Sequence, residues 1–71
     1  MRAIKDARYR VISDSNNFFH SGDIVVALEN SVVPYCVREE KYILKDWRLD
    51  DYNPLCAEEL EMLDDQPYLE N

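Results

Sequence analysis

The chain has 71 residues, 46% apolar and 32% charged, and its 8 Lys+Arg against 15 Asp+Glu leave a formal net charge of −7. A domain this small buries only about 60% of the surface its unfolded chain exposes, so it supports one modest core and no deep, two-walled cleft, which argues against an enzyme. The sequence has no apolar run of about 18 residues and no apolar stretch near Met1 like that of a secretory leader, so the expectation is a cytoplasmic protein without a membrane partner.

The charge is unevenly distributed. Residues 1–45 carry seven basic and six acidic side chains, whereas residues 46–71 carry Arg48 alone against nine acids, a local balance of −8. Nucleic-acid affinity rests on Lys and Arg neutralising phosphates, so direct nucleic-acid binding is not expected. Cys36 and Cys56 are too few for a zinc site, and with His20 they have no metal-ligand spacing, so no metal or cofactor is expected. They read as reduced packing residues.

In chain order, Arg8-Tyr9-Arg10-Val11-Ile12 alternates and predicts a strand, ended by the turn-formers Ser13-Asp14-Ser15-Asn16-Asn17. Gly22, the only glycine, stands where a positive φ is needed before a second strand. That strand, Ile24-Val25-Val26-Ala27-Leu28, places Ile24, Val26 and Leu28 on one face and forms a hairpin with Val32-Val33-Pro34-Tyr35-Cys36-Val37. Pro34 cannot donate to a ladder, which puts its strand on an edge or Pro34 at a bulge, with Val33, Tyr35 and Val37 facing inward.

Arg38-Glu39-Glu40 reads as a turn and Lys41-Tyr42-Ile43-Leu44-Lys45 as a fourth strand. Asp46 to Tyr52 either extends that strand or folds over the core as a loop. Asn53-Pro54 offers a cap and a first helical residue for a short helix, with Cys56, Leu60 and Leu63 as its apolar stripe. The alternative is a single turn at Ala57-Glu58-Glu59-Leu60 followed by Glu61-Met62-Leu63 as a last strand. Residues 64–71 read as a frayed acidic tail of one single domain.

The order of Arg10-Val11-Ile12-Ser13-Asp14-Ser15-Asn16-Asn17, Gly22-Asp23-Ile24-Val25, Pro34-Tyr35-Cys36-Val37 and Glu58-Glu59-Leu60-Glu61 resembles small SH3-like β-barrel proteins encoded by bacteriophages. The resemblance covers about residues 8–63. It implies a mainly β antiparallel barrel of four or five strands with a short C-terminal helix or helical turn, a phage or prophage origin, and a binding role without shared catalytic residues. This chain departs from the family at the acidic segment 46–53 and at His20-Ser21 before Gly22.

Motifs for chemistry fail on inspection. A calcium loop opening at Asp14 would need an oxygen ligand, Gly and Glu where Phe18, Phe19 and Val25 stand. A phosphate loop needs several glycines, and His20 with its neighbouring serines and Asp23 lacks a buried orienting carboxylate. What remains is recognition. The aromatics outnumber what such a barrel buries, and Phe18, Phe19, Trp47 and Tyr52 are the candidate contacts for a host or phage protein. Asp50, Asp51, Glu58 and Glu59 are the candidate acidic contacts, and an edge strand offers a route to a homodimer. Two rival readings are an acidic nucleic-acid mimic blocking a DNA-binding protein and an accessory structural protein without a dedicated ligand.

Overall fold

The structure, a computed structural model, describes residues 2–63; the tail expected over 64–71 lies outside them. Five strands, β1 (Arg8–Val11), β2 (Ile24–Ala27), β3 (Tyr35–Arg38), β4 (Tyr52–Pro54) and β5 (Leu60–Met62), form one antiparallel sheet in the order β4-β3-β2-β1-β5. A meander with its last strand returning beside the first is the arrangement of a small SH3-like barrel, so the mainly β expectation holds. A helix α1 (Glu39–Leu44) and a 3-10 turn (Ala57–Glu59) complete the chain.

Pairing register decides the two faces, because directly opposed residues share a side of the pleat. Tyr9 opposes Val25 and Met62, Val11 opposes Leu60, and Ala27 opposes Cys36. These side chains make the core together with Ala3, Ala7, Phe19 and Leu55. Leu55 follows one edge strand and Leu60 begins the other, so the sheet curls until both edges close on one cluster. Tyr9 is fully buried, and its hydroxyl accepts the Ile4 N–H at 2.7 Å, which removes the cost of burying it.

The long polar loop after β1 has a defined internal structure. The Asp14 carboxylate accepts the N–H groups of Asn16, Phe18 and Phe19 at 2.9, 2.8 and 2.8 Å, while Asn17 takes a φ of 63°. Asparagine and aspartate favour such local turns. The loop is thereby aimed so that Phe19 enters the core. Gly22 does have a positive φ, 96°, and donates its N–H to the Val11 carbonyl at 2.7 Å, turning the chain into β2.

Four expectations are corrected. Cys36, not Tyr35, faces the core: the β3 alternation is offset by one residue, leaving Tyr35 exposed and Val37 buried on the opposite face beside Val26. Ile24, Val26 and Leu28 do share a face, but it is this outer one. Pro34 precedes β3, which is an internal strand; the proline lends its carbonyl to the Leu55 N–H at 3.0 Å. Asn53-Pro54 ends β4 instead of starting a helix, and the single-turn alternative is what forms.

The fourth correction is α1, which replaces the strand expected at 41–45. Glu39 and Glu40 occupy its positive N-terminal turn. Lys45, at φ 57°, closes it with Lys45 N–H to Tyr42 O and Asp46 N–H to Lys41 O, both 3.2 Å. Glu39 pairs with Arg8 at 2.9 Å and the Tyr42 hydroxyl donates to Asp6, holding α1 across the outer face of β1, β2 and β3. The position next to β3 is then free for β4.

Candidate functional site

After α1, the loop 45–51 leads into β4 beside β3. There Tyr35 opposes Pro54, Tyr52 opposes Val37, and Leu28 donates its N–H to the Tyr35 carbonyl at 2.7 Å, so all these side chains share the outer face. Trp47 and Leu49 come over from the loop as a facing wall. The result is an open groove of about 500 Å³ lined by Leu28, Glu29, Tyr35, Trp47, Leu49, Tyr52, Asn53 and Pro54.

Its aromatic rings stand at right angles. Trp47 meets Tyr52 at 5.1 Å between centroids and 90°, and Tyr52 meets Tyr35 at 5.8 Å and 85°. Edge-to-face contacts of this kind satisfy the ring quadrupoles and hold the rings as rigid walls. Trp47 nevertheless keeps 36% of its surface exposed and Tyr35 45%. The loop itself is held by reciprocal bonds, Asp51 N–H to Arg48 O at 2.9 Å and Arg48 N–H to the Asp51 carboxylate at 2.7 Å.

The candidate contacts named from the sequence are therefore split. Trp47 and Tyr52 come together in the groove. Phe18 is 50% exposed but lies on the loop after β1, away from it, and Phe19 is only 4% exposed, a core residue. Arg38 lies over the Phe19 ring at 5.2 Å and pairs with Asp23 at 3.5 Å, closing that side of the ring from solvent. Asp50 is exposed on the groove loop and Asp51 braces its turn. Glu58 is exposed on the 3-10 turn, and Glu59 is committed internally: its carboxylate accepts the N–H groups of Ser15 at 2.8 Å and Cys56 at 3.1 Å. The Ser15 amide first, then Cys56 and the Ser15 side chain, hold its pKa below the ordinary glutamate range against the opposing effects of partial desolvation and Asp14. Glu61 pairs with Arg10 at 3.1 Å.

Sequence reasoning missed Tyr35, Leu28, Leu49 and Pro54. The offset of β3 hid Tyr35, and its signal was Cys36, a residue type that is usually buried. A second concavity of about 400 Å³, at Gly22, Asp23, Ile24, Arg38, Glu39, Glu40 and Ile43, is lined by charges that include the Arg38–Asp23 pair.

Cys36 and Cys56 are free thiols, and burial pushes the Cys36 pKa up to about 12, so its thiolate is scarce at neutral pH. Among the described residues no group of three or more His, Cys, Asp or Glu is placed to hold a metal ion, and no helix is long and apolar enough to cross a membrane. Comparison with family models, curated proteins and solved structures finds no match.

Proposed function

We propose that this protein is a non-enzymatic protein-binding module that takes an extended segment of a partner protein in the outer-face groove. The observation that carries the reading is the set of three aromatic rings, Tyr35 and Trp47 each braced edge-to-face on Tyr52, left partly exposed around a groove of about 500 Å³. Rigid aromatics order little on binding and dominate interface energetics, and a shallow apolar groove suits an extended backbone better than a globular surface. The partner in this reading is a host or phage protein met in a bacterial cytoplasm, as the resemblance to phage-encoded barrels implies. Edge-strand pairing has less support, because both edges, β4 and β5, are three residues long and β4 ends in Pro54.

The acidic nucleic-acid mimic has less support too. Glu59 accepts the Ser15 and Cys56 amides and Glu61 is paired with Arg10, so these two carboxylates already have partners within the chain. The test uses the tagged protein as bait in nuclease-treated bacterial lysate, beside a Trp47→Ala bait. A partner that survives a high-salt wash and is lost with Trp47→Ala is the expected result. A DNA-binding partner retained only at low salt, and equally by the Trp47→Ala bait, overturns it in favour of mimicry.

A further inference from the structure

We infer that the groove selects a cationic segment, seating a Lys or Arg side chain of the partner peptide in the corner formed by Trp47, Tyr52 and Tyr35. The inference rests on the groove reading above and adds the chemistry of the occupant. Two observations carry it independently.

The first is ring geometry. Two rings at 90° and two at 85° form corners, not a slot. A flat aromatic ligand needs two parallel faces to be sandwiched between, whereas the ammonium of Lys or the guanidinium of Arg gains from any ring face it meets. The second is charge. Glu29 lines the groove itself, and Asp46, Asp50 and Asp51 alternate with the groove residues Trp47, Leu49 and Tyr52 along one loop. Lys45 and Arg48 are the cations of the loop 45–51, so loop and Glu29 together still carry −2 beside the groove. Apolar and aromatic walls with a negative rim are complementary to a chain that alternates apolar residues with Lys or Arg. The same rim repels an acidic segment and leaves a neutral one without its charge partner.

The test is a selection of random heptapeptides displayed against the folded full-length protein, with Trp47→Ala as the counter-selection. Enrichment of Lys- or Arg-containing peptides that depend on Trp47 is expected. The best peptide is then titrated while emission of Trp47, the only tryptophan, is followed, against an analogue carrying citrulline or norleucine in place of each Arg or Lys. The neutral analogue binds at least about fivefold more weakly at low salt, and Glu29→Gln with Asp50→Asn removes roughly that factor for the cationic peptide alone. Asp51 is left intact because it braces the loop, and circular dichroism confirms that the variant folds.

Equal binding of the neutral analogue, or enrichment of uncharged peptides, overturns the cationic preference and leaves the groove standing. No enrichment that depends on Trp47 overturns both. A homodimer that Trp47→Ala dissolves in sedimentation would place a second copy in the groove and also overturn the inference.

Discussion

Replacing Glu59 with alanine tests how the barrel is closed. The Glu59 carboxylate joins two segments far apart in sequence, accepting Ser15 N–H from the loop after β1 and Cys56 N–H at the entry to the 3-10 turn. Hydrogen bonds to a charged group contribute about 1.5–3 kcal/mol each, but Ser15 is exposed and water replaces much of what is lost, so we take roughly 1.5 kcal/mol for both together. For a domain of this size that lowers Tm by roughly 6–12 °C. The sign of the pH dependence follows from the lowered pKa of the folded group. Its charge-dependent stabilisation is complete above the ordinary glutamate range and is lost as pH falls through that range and then through the lower folded value. Thermal melts of wild type and Glu59→Ala followed by circular dichroism should therefore converge on acidification. Glu59→Gln, which retains one oxygen acceptor without the charge, should fall between them at neutral pH. A gap below about 2 °C at neutral pH, or one that stays constant on acidification, would refute the assignment of Glu59 as an internal clasp.

Three other perturbations probe separate parts of the fold. Tyr9→Phe leaves the Ile4 N–H without its acceptor in a half-buried site and should cost about 0.5–1.5 kcal/mol, read as a lower urea midpoint with unchanged slope. In Gly22→Ala the added methyl would meet no atom within 4 Å, so a loss of about 1–2 kcal/mol in the same assay measures the backbone conformation alone; no loss would mean that φ relaxes at no cost. In thiol labelling of the folded protein at mildly alkaline pH, Cys56 should react well before Cys36, whose reaction should track global unfolding; equal rates would contradict the buried, high-pKa site.

The elements that were legible in the sequence are those whose cause is local. Gly22 marks its own positive φ, and Ser13 to Asn17 announces a turn because those side chains bond their own backbone. Arg8 to Val11 alternates because one strand face meets the core and the other meets charges. The 39–45 stretch was misread because Tyr42, Ile43 and Leu44 are equally at home in a strand or a short helix. None of the six residues of α1 is buried, so no periodicity separated the two. Its identity depends on contacts with distant partners, Arg8 and Asp6.

The groove shows the same division more sharply. The sequence by itself determined that the chain is small, acidic and mainly β, with more aromatic surface than its core takes up, and it named Trp47 and Tyr52 among the candidate contacts. It did not determine which aromatics meet. That depended on a one-residue offset in β3, which turns Tyr35 outward and Cys36 inward, and on the loop after α1 bringing Trp47 against Tyr52. Side-chain alternation has a period of two, so a shift of one residue exchanges core for surface along the whole strand. Only the pairing of β3 with both β2 and β4 sets that register, and those partners lie elsewhere in the chain.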